Sequence, residues 1–234
     1  MTLCYHYYGW GYNLITIIPA RGLSKGIFKK NLQRVNGETL VARCIKHAKK
    51  IPDNMIYLSS DDSQILEIGT NYNVFTQKRS SINATDIATS ESVLEEVLNG
   101  LITTDDLVTL LQPTSPFVDT EAWLKSIDIM KNNLEIGSIF SAVAKNSTIW
   151  EEVDSRWQPV NQPKSIRLPR QLKNRTVLET GAFYVFRLSL FKIEKTRFCG
   201  NSIPAISTIW SQFEIDDAED LNFCNKVAPI IDIQ

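Results

Sequence analysis

Short apolar runs alternate with amphipathic stretches along most of the 234 residues, and this alternation constrains the fold more than any other feature. The first run, residues 14–18, is rich in β-branched side chains and ends at Pro19, which is typical of a buried strand. Residues 38–50 place apolar side chains at helical spacing and end in lysines, which suit a helix C-terminus. Strands that alternate with helices predict an α/β fold whose mainly parallel sheet is covered by helices on both faces.

The same pattern continues along the chain and then fails once. Further strands are predicted over 55–58, 73–76, 107–111, 137–143 and 182–186, and further helices over 61–68, 90–102, 120–132 and 217–227. Over residues 144–180, three prolines interrupt a polar stretch that has no helical periodicity. This predicts an excursion from the sheet, either a small hairpin arm or a lid, within one domain that spans residues 14–234.

The first thirteen residues precede the predicted domain. They lack the basic and apolar regions of a signal peptide, so we expect an N-terminal extension on the surface, or else a partner-binding arm. The longest apolar runs of the chain are about five residues, far short of the ~18 that a membrane span requires. We therefore expect no membrane partner.

Charge, cysteine and histidine content exclude several classes of protein. Lys and Arg number 25 against 26 Asp and Glu, so the net charge of −1 argues against a broadly basic nucleic-acid binder. The cysteines are isolated: Cys4, Cys44, Cys199 and Cys224. The absence of a C-x-x-C pair argues against a zinc ribbon or a thioredoxin motif. Four cysteines could form two disulfides, but their spacing and the size of the chain favour reduced thiols in the cytoplasm. Of two histidines, His47 lies among helical lysines and is expected on a solvated face, which argues against a histidine triad.

The loop after the first predicted strand carries glycines and several cations in the sequence IPARGLSKGIFKKN, residues 18–31. Glycine lets backbone N–H groups approach a phosphate closely. Arg21, Lys25 and Lys30 supply the fixed positive charge that holds a triphosphate and neutralises charge during phosphoryl transfer. The loop is neither a Walker A loop nor G-x-G-x-x-G, and a solvated charged loop is the alternative interpretation.

Four further motifs follow this loop in a fixed order: SSDD at 59–62, LQPTSP at 111–116, PRQ at 169–171 with TGAFY at 180–184, and EIDDAEDL at 214–221. Together with the loop they resemble the acylneuraminate (sialic-acid type) cytidylyltransferases. That family carries I-P-A-R-x-x-S-K-G-x-x-x-K-N, S-T-D-D, L-Q-P-T-S-P, P-R-Q with N-G-A-x-Y, and [D/E]-I-D-x-x-x-D-L. The resemblance covers most of residues 15–225.

The resemblance implies a Rossmann-like nucleotide-diphospho-sugar transferase fold with a small dimerisation arm, and a homodimer whose sites are shared between chains. It implies transfer of CMP from CTP to the anomeric hydroxyl of a 2-keto sugar acid, N-acetylneuraminate or a related nonulosonic acid, with release of pyrophosphate. Alternatives are a cytidylyltransferase for legionaminic, pseudaminic or 3-deoxy-manno-octulosonic acid, and a non-catalytic nucleotide-binding protein of the same fold. LQPTSP argues against the octulosonate enzymes, which usually carry an acidic motif there.

The resemblance also implies a set of nucleotide-binding residues: Ala20, Arg21, Gly22, Lys25, Lys30, Asn31, Arg79 and Ser90. Arg21 and Lys25 would lie nearest the leaving pyrophosphate and form the catalytic set with Gln112. Arg79 and Ser90 belong to RSSINATDIATS, which departs from the family pattern at four positions and would contact cytosine and ribose. Capping of the following helix is the alternative role for Ser90.

The implied substrate-binding residues are Gln112, Arg170, Gln171, Thr180 and Tyr184. Arg170 could pair with the acceptor carboxylate in a bidentate fork. Gln112 would lie near the attacking oxygen, although a strand-end amide that bonds backbone groups is the alternative. Thr180 stands where better-known family members have Asn, which bears on the choice of acceptor.

Two carboxylates near the C-terminus are the predicted metal ligands. Glu214 and Asp216 are two residues apart, so on an extended segment both face one side and can reach one Mg²⁺ or Mn²⁺ ion. An acidic helix cap and first turn is the alternative for this run, and the general base stays open. Residues 21–34 carry five Lys or Arg and no acid, whereas 214–220 carry five acids and no base. We therefore expect a polyphosphate cradle and an acidic cluster in one site.

Overall fold

The computed structural model describes residues 14–99, 106–145, 147–172 and 175–233, and the predicted extension 1–13 lies outside them. The strands are Leu14–Pro19 (β1), Arg34–Val35 (β2), Glu38–Thr39 (β3), Asn54–Ser60 (β4), Phe75–Lys78 (β5), Leu107–Leu111 (β6), Ile136–Lys145 (β7), Trp150–Val153 (β8), Arg156–Pro159 (β9), Thr176–Arg187 (β10) and Asn201–Ile206 (β11). The α-helices are Leu40–Lys49 (α1), Ser63–Asn71 (α2), Ser90–Leu98 (α3), Thr120–Asn132 (α4), Leu188–Glu194 (α5) and Ala218–Ile231 (α6). None of these helices is both long enough and apolar enough to cross a membrane.

Seven strands form one sheet in the order β11-β7-β10-β6-β1-β4-β5. Strands β5, β4, β1 and β6 pair in parallel, as do β7 and β11. Within this sheet β10 alone is antiparallel to its neighbours β6 and β7. The predicted mainly parallel sheet is therefore confirmed.

Alternate side chains of β1 enter two separate hydrophobic clusters. Leu14 and Ile18 pack with apolar residues of α1, α2 and α4 on one face of the sheet. Ile15 and Ile17 pack with residues of α3 and α5 on the other face. This alternation follows from the two-residue period of a strand, and it confirms the prediction of helices on both faces.

The predicted excursion contains a two-stranded hairpin, β8–β9, and is shorter than residues 144–180. Strand β7 extends to Lys145, and β10 begins at Thr176, because these two residues are paired at the far end of an antiparallel ladder. Residues 176–179, at the added end of β10, are partly or fully exposed, so this end lacks the apolar run by which the sequence indicates a buried strand.

Other boundaries differ from the predictions for local reasons. Strand β5 begins at Phe75 rather than at residue 73, because Asn73 has a positive φ of 52° in the preceding turn. Strand β11 was not predicted, since Pro204 interrupts its pattern. It lies at the edge of the sheet, where a missing N–H group is tolerated. Helix α5 was also not predicted. Helix α3 ends at Leu98, with Asn99 as its C-cap, short of the predicted end at residue 102, which lies outside the described residues.

The prediction that His47 is solvated is wrong. His47 is partly buried in the wall of a cavity of about 520 Å³ between α1, α4 and α6. Burial, together with the nearby positive charges of Lys50 and Arg43, lowers the pKa of its imidazole to about 4. The ring is therefore neutral in the folded protein near neutral pH.

This depressed pKa predicts a loss of stability in mild acid. The unfolded chain takes up the His47 proton near pH 6.5, whereas the folded chain does so only near pH 4. The contribution of His47 is therefore present above pH 6.5 and is lost as the pH falls to 4, by roughly 3 kcal/mol at most. Urea unfolding of the intact chain and of His47→Gln over this range measures the effect. We expect a flatter pH dependence for the variant, and equal slopes would contradict the assignment.

Candidate active site

A cavity of about 290 Å³ opens at the carboxyl ends of β1 and β6. Pro19 ends β1, Gln112 directly follows β6, and both line the cavity. The strand order reverses between these two strands, since β4 and β5 lie on one side of β1 and β6 lies on the other. Ligands of open α/β sheets bind outside the carboxyl ends of strands at such a reversal.

The loop after β1 fits between two other segments because two of its residues lack a side chain. A Cβ at Gly22 would lie 2.6 Å from Cβ of Asp62, and one at Gly26 would lie 2.0 Å from the carbonyl oxygen of Asp216. The Gly22 N–H donates to Oδ1 of Asp61 over 2.8 Å, whereas Asp62 caps α2. The loop is thus fixed against the end of β4 and against the acidic segment.

Arg21 and Lys25 share one carboxylate across the mouth of the cavity. Nη1 of Arg21 lies 2.7 Å from Oδ1 of Asp86, and Nζ of Lys25 lies 3.2 Å from Oδ2. Arg21 and Asp86 line the cavity, whereas Lys25 is mostly exposed at its edge. Ala20 and Gly22 are buried and are not lining residues.

Lys30 joins the basic loop to the acidic cluster, as the charge pattern predicts. Its Nζ donates to Oδ1 of Asp216 over 2.9 Å, and its side chain is only 13% exposed. The next residue, Asn31, is buried and donates to the carbonyl oxygen of Arg21 over 2.8 Å. Its Oδ1 atom accepts no hydrogen bond from any described residue, so the cavity wall contains an unused acceptor.

Arg79 and Ser90 both line the cavity. The Arg79 guanidinium is buried and donates to the carbonyl and hydroxyl oxygens of Ser59, which fixes the 79–89 loop to β4. Burial lowers its pKa. Thr89, not Ser90, caps α3 by accepting from Ser92 N, so the alternative role considered for Ser90 is wrong.

Gln112 and Glu214 approach each other at a glycine in the bulge of β10. A Cβ at Gly181, where φ is +69°, would lie 3.3 Å from Oε1 of Gln112 and 3.5 Å from Oε2 of Glu214. Within the described part of the chain the Gln112 side-chain amide has no hydrogen-bond partner, so it is not spent on strand-end backbone groups. Oε1 of Glu214 accepts from the Thr114 hydroxyl over 2.9 Å.

The acidic segment presents two carboxylates on one side. The Ile215 N–H donates to Thr114 O over 2.8 Å and its side chain is fully buried, so Glu214 and Asp216 face away from it. Burial raises the pKa of Glu214, and the negative charge of Asp216 raises it further. Asp217 and Asp220 form the capping box of α6, so the helix cap does not use the two predicted ligands.

This donor set fits a magnesium ion. Mg²⁺ is held by one or two carboxylates and completes its shell with water and phosphate oxygens. Glu214 lines the cavity and Asp216 bonds Lys30, which also lines it, so these two carboxylates could supply that set. A cation would relieve the repulsion that contributes to the raised Glu214 pKa. The described residues contain no cluster of three or more His, Cys, Asp or Glu side chains suited to a metal.

Of the five predicted acceptor residues, Gln112 lines the cavity, whereas Gln171, Thr180 and Tyr184 do not, and the side chain of Arg170 lies outside the described residues. Thr180 is buried and donates to the Ser141 hydroxyl over 2.7 Å within the sheet. Tyr184 is buried in the cluster under α3 and α5 and donates to Glu179. Burial raises its pKa. Gln171 is exposed on the 3₁₀ turn Arg170–Leu172 and is not among the described lining residues.

Sequence reasoning missed several cavity residues. Asp86 bridges the two cations, Thr114 bonds Glu214, and Asn83 accepts from Arg79 through its carbonyl oxygen. Asp86 and Thr114 lie inside motifs that match the family, so the signal was present, but neither has a neighbour in sequence that reveals its partner.

The sequence model of the cytidylyltransferase family matches residues 15–227. The chain belongs to the cytidylyltransferase family. Its resemblance to that family, predicted from the motifs, is confirmed. The N-acylneuraminate cytidylyltransferase A of Danio rerio is 25% identical over 185 residues, which are 77% of this chain and 43% of that protein.

Two further comparisons concern other acceptors. The CMP-N,N'-diacetyllegionaminic acid synthase of Legionella pneumophila is 31% identical over 126 residues, 50% of this chain and 53% of that protein. The solved structure of a CMP:2-keto-3-deoxy-manno-octonic acid synthetase with CTP superposes with a TM-score of 0.65 at 15% identity, covering 93% of this chain and 98% of that one. The likeness to the solved structure supports the fold alone. The chain spans about half the length, or less, of these two curated relatives.

Proposed function

We propose that this cytidylyltransferase transfers CMP from CTP to the anomeric hydroxyl of a 2-keto sugar acid. The observation that carries the proposal is the meeting of the basic loop and the acidic pair at one cavity, through Lys30 and Asp216. A triphosphate needs cations along its length, and a transferring phosphoryl group needs a metal ion beside it. The basic loop and the acidic pair could supply both at the carboxyl edge of the sheet.

In the proposed reaction the acceptor oxygen forms a bond to the α-phosphorus of CTP. The bond from that phosphorus to the bridging oxygen of pyrophosphate breaks, and the proton of the acceptor hydroxyl passes to solvent water. Arg21, Lys25 and Lys30 stabilise the negative charge that develops on pyrophosphate. Gln112 is free to orient the acceptor hydroxyl, since its amide has no partner within the described residues.

We propose that Glu214 and Asp216 hold Mg²⁺, with Mn²⁺ as a substitute. The ion would neutralise charge on the phosphate oxygens. Lys30 now pairs with Asp216, so its ammonium lies close enough to serve the same phosphates.

Removing one proposed ligand should weaken the dependence on the metal ion without unfolding the chain. We expect Asp216→Asn to raise the Mg²⁺ concentration for half-maximal turnover about tenfold or more, because Asp216 is exposed and its charge attracts the ion. Titration of pyrophosphate release with Mg²⁺ measures this. Asp217→Asn, which alters the cap of α6, is the matched control and should leave the Mg²⁺ midpoint within about twofold. An unchanged midpoint in Asp216→Asn would contradict the metal assignment.

We propose N-acetylneuraminate or a related nonulosonic acid as the acceptor. Two curated relatives, named for N-acylneuraminate and for diacetyllegionaminic acid, support this class. We also propose a cytoplasmic location, in keeping with the free thiols of Cys44, Cys199 and Cys224.

We further propose a homodimer in which the β8–β9 hairpin contacts the other subunit. The hairpin exposes Trp150 and Trp157, and a two-stranded hairpin without a covering partner is only marginally stable in water. Arg170 and Gln171 follow the hairpin along the chain. In the proposed dimer each subunit would supply them to the acceptor side of the other subunit's site. Light scattering of the intact chain should give the mass of two chains, and the mass of one chain would contradict the dimer.

Binding calorimetry separates the enzyme from a non-catalytic binder. We expect CTP to bind, and pyrophosphate to appear only when an acceptor is added. CTP binding without release, whichever 2-keto sugar acid is present, would favour the non-catalytic alternative. If CTP does not bind and no pyrophosphate is released, any role for CTP is contradicted.

A further inference from the structure

Asp86 pairs with the two cations at which the proposed function needs the phosphates of CTP. Its two carboxylate oxygens lie 2.7 Å from Arg21 Nη1 and 3.2 Å from Lys25 Nζ. Arg21 and Lys25 are the two cations proposed to stabilise the departing pyrophosphate. Among the described residues these two cations are the only side-chain partners of Asp86.

The other carboxylates beside the basic loop have separate structural tasks. Asp61 accepts from the Gly22 N–H, Asp62 caps α2, and Asp216 lies in the proposed metal site. Asp86 caps no helix and accepts from no backbone N–H within the described chain. Among the described residues its carboxylate therefore pairs with these two cations alone, and it can leave them without breaking another contact.

The loop that carries Asp86 is held at its base and free at its tip. Glu96 of α3 accepts from the backbone N–H of Ser80 over 2.7 Å and from the Ser80 hydroxyl over 3.0 Å, and it also accepts from Asn83. Ile87, next to Asp86, is 89% exposed. Because the tip buries almost no apolar surface, displacement of Asp86 does not require unpacking of the core.

We propose that Asp86 is an internal counter-ion that competes with polyphosphate for Arg21 and Lys25. The inference rests on the proposed function and names a further residue that sets the affinity of the same site. Binding of CTP exchanges the Asp86 carboxylate for phosphate oxygens at these two cations. After transfer, return of Asp86 to the cations favours the release of pyrophosphate.

The size of the effect follows from the exposure of the pairs. The Asp86 side chain is 44% exposed, so each ion pair is partly screened by water. Exposed ion pairs contribute at the lower end of measured values, and two of them correspond to about a three- to tenfold change in a dissociation constant. A ligand that carries only an α-phosphate does not engage these cations and should not respond.

The test is the isosteric variant Asp86→Asn, with Asp128→Asn as the matched control. Asp128 is exposed on α4 and is not among the residues that line the cavity, and its substitution changes the net charge equally. Calorimetry at one fixed ionic strength measures the dissociation constants of CTP, pyrophosphate and CMP for the intact chain and both variants.

We expect Asp86→Asn to bind CTP and pyrophosphate about three- to tenfold more tightly, with CMP unchanged and with Asp128→Asn equal to the intact chain. Weaker CTP binding in Asp86→Asn would overturn the inference, because Asp86 would then position the cations for the nucleotide. An equal gain in affinity for CMP would overturn the inference as well, because it would indicate a general change in the electrostatic potential of the site. If the intact chain itself does not bind CTP, the proposed function fails. If it binds CTP and the variant binds no more tightly, only the counter-ion role fails.

Discussion

Replacing Lys30 by glutamine is expected to lower kcat/KM for CTP by about 10²–10³-fold, because removal of one fixed charge from a developing anion costs that much. Lys30 is the one cation of the loop that is both largely buried and bonded to the acidic segment, 2.9 Å from Asp216. Glutamine keeps a polar side chain, one atom shorter than lysine, and removes the charge. Steady-state pyrophosphate release at saturating acceptor measures the change.

The neighbouring lysine supplies the matched control. Lys29 donates to Gln64 over 2.7 Å and lies 3.6 Å from Asp62, outside the residues that line the cavity. Lys29→Gln removes the same charge one residue away, and we expect its kcat/KM to stay within about threefold of the intact chain. Equal losses in the two variants would show that the net charge of the loop matters rather than the position of Lys30.

Replacing Gly26 by alanine is expected to lower kcat/KM by about 10²-fold, since a displacement of about 1 Å in a positioning segment has that effect. The added methyl group would lie 2.0 Å from the carbonyl oxygen of Asp216, which is backbone and cannot rotate away. The loop and the acidic segment must therefore separate, and Lys30 moves with the loop. We also expect a loss of about 1–3 kcal/mol in the free energy of unfolding.

Gly37→Ala controls for the loss of stability. Gly37 has a φ of +81°, but no heavy atom of the described residues lies within 4 Å of an added Cβ. Backbone strain should therefore cost about 1–2 kcal/mol while kcat/KM stays unchanged. Urea unfolding and steady-state kinetics on both variants separate strain from displacement. Full activity in Gly26→Ala would contradict the close fit of the loop against Asp216.

The sequence predicted the parts of this molecule that depend on local patterns. Apolar runs identify the buried strands β1, β4 and β6, and helical spacing identifies α1 and α4. The edge strand β11 and the exposed end of β10 were not predicted, because they have no apolar run. Pairing in space, rather than composition, defines those segments.

The candidate site was likewise predicted only in the parts that depend on local sequence motifs. The motifs predicted the basic loop, Gln112 and the acidic segment, all of which the structure brings to one cavity or to its edge. They did not show that Asp86 faces Arg21 across 65 residues, because such a pair depends on the tertiary fold. Nor did the motifs show that the side chains of Thr180 and Tyr184 are buried. These two residues lie next to a bulge in β10, where the register shifts between Glu179 and Tyr184.

The central claim is tested most directly by pyrophosphate release from CTP and Mg²⁺ in the presence of one 2-keto sugar acid at a time. The acceptors are N-acetylneuraminate, legionaminic acid, pseudaminic acid and 3-deoxy-manno-octulosonate. Mass spectrometry of the same reactions should show the CMP-sugar in equal amount to pyrophosphate. We predict release with at least one nonulosonic acid, dependence on CTP rather than ATP, and a kcat/KM about 10²–10³-fold lower in Lys30→Gln. Folded protein that binds CTP and releases no pyrophosphate with any of these acceptors would contradict the proposed reaction.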